Sequence, residues 1–561
     1  MIIQKISCTI IALLTLCGAL LAQNNGLDDA DFNLVRDYEG TIEDADKLHL
    51  QLEISPPKAE DIVHNYNMPQ VKFNVELPPP ETRPTRVDLE SLFQTQDNLI
   101  RFGFGSQLTA LAELGFYENL GKKKNAQFGL MGSHFSSNLG RLPNMEFMDS
   151  RVNSFVNYHS KYVTMQVEGN FEQDRDHYYV YDTTQGELND MDVRQNAMRY
   201  GGKVSLINHR DNNLDITFDN SIRYKGYKDL FDNKENIIDF NSRIGKKIDA
   251  FQSFEIITGF NYIVRNAEAP FGDLKRSVFK LGGHYHYKTK DWLLDATIGF
   301  GIGDVSPRKK NNQSKFDILP KLEARREIIP NKLQFFARYD RDINLISLDR
   351  LQRENPWMRM DSLDVQHAGY DHLTTGFQGG VKRFDYDVHF GMRATRNQAL
   401  YRNVYDSNRQ NLSQFEVVYD SLMITYNAHV DLGIKIKDNI HLYVGGDYFA
   451  YKVNNTEAAF NLPKFKAFTG IKMSLIEDKL LMRGELNLLA GAQGIDEIGN
   501  LQTIPVPVDI NLKSEYRLNK NFIIFAYINN AFGFVENYRY QQFYNYPSYG
   551  VNGLVGATFQ F

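Results

Sequence analysis

The stretch Leu422-Met-Ile-Thr-Tyr-Asn-Ala-His-Val-Asp-Leu-Gly-Ile-Lys-Ile436 decides the architecture. Its even positions are apolar or aromatic throughout. Its odd positions are Met423, Thr425, Asn427, His429, Asp431, Gly433 and Lys435. Side chains two residues apart share a face of an extended chain, so the stretch has one apolar and one largely polar face. Ordinary strands run about 5–6 residues, whereas a strand that crosses a bilayer needs roughly 9–11. Alternation this long predicts a strand of a transmembrane β-barrel, with lipid on one side and an aqueous lumen on the other.

The same period recurs outward from this stretch in both directions. Val163, Met165, Val167 and Phe171 alternate with Thr164, Gln166, Glu168 and Asn170. Leu214, Ile216, Phe218, Ile222 and Tyr224 alternate with Asp215, Thr217, Asp219, Ser221 and Arg223. The stretch 480–490 places Arg483, Glu485 and Asn487 between apolar residues. Short polar turns, near 160, 209–211, 246–249, 288–291 and 477–479 among others, alternate with longer polar connections such as 137–149, 173–192, 343–370, 401–418 and 532–549. Outer-membrane barrels have this asymmetry, with short periplasmic turns and long external loops. Counting back from the last strand, with a hairpin in 98–119, gives an all-β fold: a transmembrane antiparallel barrel of about 22 strands, with 20 as the alternative.

Composition fits this pattern and removes other classes. The 561 residues include 31 Tyr, 38 Phe, 2 Trp and 40 Gly, with 63 Lys+Arg against 69 Asp+Glu. Mean hydropathy is negative, which argues against a polytopic helical membrane protein. A net charge of −6 lacks the basic excess of a nucleic-acid binder.

Residues 1–22, MIIQKISCTIIALLTLCGALLA, read as a secretory signal peptide cleaved near Ala22–Gln23. Both cysteines, Cys8 and Cys17, lie inside it, so the mature chain is expected to have neither disulfides nor thiolate sites. Residues 23–97 are acidic and then Pro-rich, as in Leu77-Pro-Pro-Pro-Glu-Thr-Arg-Pro84, and read as an extended periplasmic or lumenal arm. Residues 98–561 form the barrel. Its N-terminal arm and C-terminus are both expected in the periplasm.

The last strand, Val551-Asn-Gly-Leu-Val-Gly-Ala-Thr-Phe-Gln-Phe561, ends on an aromatic after alternating apolar residues. Phe559 and Phe561 therefore resemble the signal read by the barrel-assembly machinery of bacterial outer membranes. Asn529-Asn-Ala-Phe532, Tyr538, Tyr540 and Asn545-Tyr-Pro-Ser-Tyr-Gly550 resemble the end of TonB-dependent receptor barrels. Leu99-Ile-Arg-Phe-Gly-Phe-Gly-Ser106, Leu108-Thr-Ala-Leu-Ala-Glu113, His134-Phe-Ser-Ser137 and Glu354-Asn-Pro-Trp357 resemble plugless relatives of these receptors from Bacteroidota-type bacteria. The resemblance implies a 22-stranded barrel over 98–561. It departs from the receptors in its arm, which resembles neither a plug nor a TonB box.

Lumen-lining candidates are Glu168, Asp215, Asp219, Arg223, Asp295, Gly299, Gly301, Gly303, His429, Asp431, Arg483 and Glu485. They read either as the mixed-charge wall of a solvated lumen or as a surface for a polar solute. The three glycines share a face with Asp295 and Thr297, which leaves room against the wall for a chain or ligand, or else marks a bent strand. His284 and His286 share a face but have no third ligand in register, so no metal site is assigned. There is no nucleophile elbow, and Gly103-x-Gly105 has no following helix to make a phosphate loop. The expected function is solute transport across the outer membrane without enzymatic activity or a cofactor. The alternative is a non-transporting subunit that docks periplasmic or surface partners through its arm. The expected contacts are outer-membrane lipid, the assembly machinery, and a periplasmic partner or separate plug protein, with no nucleic acid.

Overall fold

A computed structural model describes residues 98–561, except 122–124, 139–141, 209–214, 267–273, 305–313, 331, 361–364, 507, 534–540 and 549. The leader and the Pro-rich arm lie outside the described residues, as do Tyr538 and Tyr540.

Twenty-two strands form one closed antiparallel sheet. In chain order the wall strands are β1 Leu99–Gly105, β2 Thr109–Leu120, β3 Ala126–Asn138, β4 Glu146–His159, β5 Val163–His177, β6 Arg194–Asn208, β7 Ile216–Asp229 and β8 Lys234–Lys247. They continue with β9 Gln252–Asn266, β10 Leu274–Lys288, β11 Trp292–Asp304, β12 Ser314–Ile329, β13 Leu333–Asn344, β14 Ala368–Val381, β15 Phe384–Asp406 and β16 Leu412–Lys437. The last six are β17 Ile440–Lys452, β18 Phe465–Leu475, β19 Leu480–Ala490, β20 Val508–Arg517, β21 Phe522–Asn529 and β22 Asn552–Gln560. Each pairs with the next, and β22 returns to β1 with Phe102 opposite Ala557 and Gly103 opposite Gly556. Among the described residues every wall strand has a partner on both sides within the ring, as a wall surrounded by hydrocarbon requires.

The alternation sorts the side chains. Phe104, Ile298, Phe390 and Val555 are among many large apolar residues exposed on the outer face. In a bilayer these would contact lipid, and their alternating neighbours face inward.

One connection differs from its sequence expectation. Residues 401–418, read as a loop, instead continue β15 and β16 as a paired hairpin out to Asp406 opposite Leu412. These strands have 23 and 26 residues, far more than a bilayer needs. The ladder breaks once, at Asn397, which has a positive φ of 54°. Beyond that point the polar/apolar pattern serves packing against other loops rather than lipid, which is why periodicity alone did not separate strand from loop.

Candidate functional site: the lumenal wall and its loop cap

The inner face is charged and paired with itself. Glu168 on β5 is opposite Lys203 on β6, with Nζ to Oε1 at 3.4 Å. Asp219 and Arg223 on β7 stand opposite Arg243 and Asp239 on β8. Asp431 on β16 is flanked by Asp387 and Gly445. His429 Nδ1 lies 2.8 Å from Asp447 Oδ1, and its ring stacks on His389 at 4.4 Å. Arg483 pairs with Glu485, which also accepts a hydrogen bond of 2.9 Å from the Tyr443 hydroxyl.

Three expectations need correction. Asp215 is not on the wall: it precedes β7 with a φ of 52°, and its carbonyl accepts the Lys247 N–H at 3.0 Å, so it belongs to a turn. The room expected at the glycines is largely taken by this chain's own residues. Gly299 faces Gly282 across the ladder. A Cβ on Gly301 would meet Leu319 and Ile343 at 3.0 and 3.2 Å, and one on Gly303 would meet Val278 at 2.7 Å. Finally, the His284–His286 pair does have a third ligand in register. Asp295 stands directly opposite His286. The short β10–β11 turn sets that register, so the turn was the available sequence signal.

At the end of the barrel with the long connections, the loops do not stand apart. They build an apolar core of their own, including Met145, Tyr179, Leu348, Leu351, Met358, Tyr401, Phe415, Phe543 and Tyr546. These residues come from loops and extensions spread around the ring. Ser413 N–H, near the tip of the β15–β16 hairpin, donates to Val180 O at 2.8 Å, and Asp182 N–H donates to Gln410 O at 2.8 Å. Residues 178–182 follow β5. On a ring of 22, β5 and β16 are opposite, so this contact forms across the mouth.

The connection 345–367 is the centre of this cap. Its helix, Leu348–Glu354, starts at Ser347, whose side chain accepts the Arg350 N–H. Arg353 Nη1 lies 2.6 Å from Glu172 Oε1 on β5. Arg199 on β6 is nearly inaccessible and pairs with Asp174 of the wall and Asp349 of the helix, and also donates to Gln352. Glu235 on β8 accepts the Leu348 N–H at 2.9 Å and lies 3.8 Å from Arg276, both side chains being fully buried. Arg276 also donates to Ile346 O and Val365 O at 3.0 and 3.2 Å. His367 Nδ1 accepts the Ile346 N–H at 3.2 Å and lies 3.3 Å from Arg276 Nη1. Burial, reinforced by the charges of Arg276 and Lys280, pulls the His367 pKa down to about 2.

Past the helix, Trp357 stacks on Tyr546 at 4.4 Å, and its indole N–H donates to His177 O at 3.1 Å. Arg359 N–H and Phe415 O then pair at 2.7 Å, adding the loop to the edge of the projecting hairpin. Tyr546 donates to Ser413 O, and Tyr179 donates to Pro547 O at 2.9 Å. By sequence these connections are polar loops. Their apolar residues lack any period, so nothing in the sequence marked them as a shared core.

Beside the cap, a cavity of about 350 Å³ opens on the inner wall, lined by Phe135, Ser137, Phe147, Asp509, Asn511, Asn530 and Asn552. The Phe135 and Phe147 rings lie 5.4 Å apart, and Asn511 donates to Asp509 at 2.6 Å.

No protein-family model and no curated protein matches the chain. Solved structures do. The FrpB iron transporter from Neisseria meningitidis aligns with a TM-score of 0.63 at 8% identity, over 83% of this chain and 81% of that one. The siderophore receptor PirA from Acinetobacter baumannii aligns at 0.63 and 8%, over 83% and 80%. The copper transporter OprC aligns at 0.60 and 10%, over 83% and 82%. At these identities the likeness is one of fold: the chain shares the closed 22-stranded barrel with these transporters and receptors.

Proposed function

We propose that this barrel conducts a polar solute across the outer membrane and that its own loops close the outer mouth between passages. The observation that carries this reading is the cap: loops from opposite sides of the ring meet in an apolar core over a lumen lined with charge. A wall built as a mere scaffold needs neither. The cavity lined by Asp509, Asn511, Asn552 and the Phe135–Phe147 pair supports a solute with hydroxyl or amide groups and an apolar face.

The end with long connections faces outward in this reading, and the end with short turns faces the periplasm. Asn98 and Phe561 then meet at the periplasmic end, where Phe561 N–H donates to Asn98 O at 3.0 Å. In this reading the arm 23–97, which joins the barrel at Asn98, serves on the periplasmic side, to guard the inner mouth or to carry a partner. The test is uptake in vesicles. Proteoliposomes holding the full chain are expected to admit small polar solutes more slowly than the same barrel with the helix-bearing connection shortened. Equal rates would remove the gating part of this reading, and no uptake by either form would remove transport itself.

A further inference from the structure

We propose that His284, His286 and Asp295 form a binding site for a divalent transition-metal ion on the inner wall, close to the β10–β11 turn. The inference stands apart from the transport reading, since it needs only the hairpin.

The sequence puts two imidazoles on one face of β10, two residues apart. The hairpin register puts Asp295 opposite His286 and Thr297 opposite His284. That register is held at the turn, where Thr289 N–H donates to Trp292 O at 2.8 Å and the Thr289 hydroxyl accepts the Trp292 N–H at 3.1 Å. As a result three donor atoms converge. Asp295 Oδ1 lies 2.7 Å from His286 Nδ1 and 3.4 Å from His284 Nε2. Donors at about 2.0–2.1 Å from a tetrahedral ion sit roughly 3.3–3.4 Å apart. The His284–Asp295 edge already has that length, and the His286 edge reaches it by a shift of about 0.6–0.7 Å.

The outer contacts also match. His284 Nδ1 lies 2.9 Å from Thr297 Oγ1, which fixes the ring with Nε2 turned toward the carboxylate. A ligating histidine ordinarily has its second nitrogen held in this way. With the Nδ1 proton given to Thr297, Nε2 and Asp295 present lone pairs to one another, and a cation between them relieves the repulsion. Glu255, opposite His284 on β9, is engaged by Arg243 at 3.3 Å, so water completes the coordination. Two imidazoles with a carboxylate favour zinc, copper or nickel over calcium and magnesium, which take oxygen ligands.

A second histidine pair differs in the property that matters. His389 and His429 each bond a separate aspartate, Asp387 and Asp447, both at 2.8 Å. Asp387, His389 and His429 also bring their donor atoms within 4.8 Å of one another, but each ring there is held by its own aspartate rather than both facing one carboxylate.

The experiment titrates Zn²⁺ into the purified full-length barrel near neutral pH by calorimetry, with heat-modifiable gel migration as the check of folding. Wild type is expected to bind one more equivalent than the His284→Ala/His286→Ala variant. Asp295→Asn is expected to lose the same equivalent. Thr297→Val should weaken it about tenfold while leaving the ligands in place. His441→Ala, a histidine near the β16–β17 turn, should bind as wild type does. The same stoichiometry and affinity in wild type and in the folded double-histidine or Asp295→Asn variant would overturn the proposal, as would the absence of saturable binding by wild type.

Discussion

Arg353 reaches Glu172 across the mouth of the barrel, with Nη1 2.6 Å from Oε1. Arg353 belongs to the connection after β13 and Glu172 to β5, so the pair ties together places eight strands apart on the ring. A loop that simply turned back into β14 would reach no farther than its neighbours. This crossing places the helix-bearing connection over the mouth.

Arg199 is a buried tie between helix and wall, and two carboxylates, Asp174 and Asp349, pair with it. Breaking a buried pair by removing one partner costs about 3–5 kcal/mol. Arg199→Leu is therefore expected to speed amide exchange in 348–354 by two orders of magnitude or more, with the wall strands unchanged. Hydrogen exchange followed by mass spectrometry reads this directly. Wild-type protection in the variant would show that the helix docks without Arg199.

Trp357 joins three aromatic rings, lying 4.4 Å from Tyr546, 5.7 Å from Tyr179 and 6.0 Å from Phe543. Truncating a packed tryptophan to alanine costs about 3–5 kcal/mol. Trp357→Ala should open the loops to protease added outside intact cells, and Trp357→Phe should restore part of the resistance. Equal cleavage of wild type and Trp357→Ala would contradict the packing role.

Low pH should loosen the cap. His367 stays neutral in the closed form down to about pH 2, because burial penalises its charged form and the charges of Arg276 and Lys280 lie near it. Once the loop is released, it titrates near its ordinary value of about 6.5. Between these values the open form binds more protons at His367, so this group's contribution to closure is full above about pH 6.5 and is lost as pH falls below it. Loop exchange rates corrected for intrinsic pH effects should rise from pH 7 to pH 5 in wild type. In His367→Gln the rise should be smaller. An identical pH response in both would assign it to other groups.

Phe559 and Phe561 stack at 5.6 Å at the end of the closing strand, and both are about half exposed. Phe561→Ala is expected to lower the amount of folded barrel in outer membranes without changing the gel mobility of what does assemble. Fractionation of cells would measure it, and wild-type levels would argue against an assembly signal in the terminal aromatic.

Period-two stretches such as 422–436 made the wall legible, because a strand between lipid and water must alternate. Twenty-two followed from the alternation of short turns and long connections, and from the need for Asn98 and Phe561 to share an end. The cap was hidden for a physical reason. Trp357, Phe415 and Tyr546 sit in segments whose contacts are with other loops, and no repeat distance along the chain reports those. Asp295 illustrates the intermediate case. Its face was readable, but its place beside His284 and His286 appears once the β10–β11 register is fixed.

The most direct test of the closed mouth is single-channel conductance in planar bilayers. It compares the full chain, a variant with 348–360 replaced by a short Gly-Ser linker, and a variant lacking 23–86. The loop variant is expected to show stable openings several-fold larger than the full chain, and the arm variant a smaller increase. If removing the loop segment leaves conductance as it is in the full chain, the loops do not close this barrel.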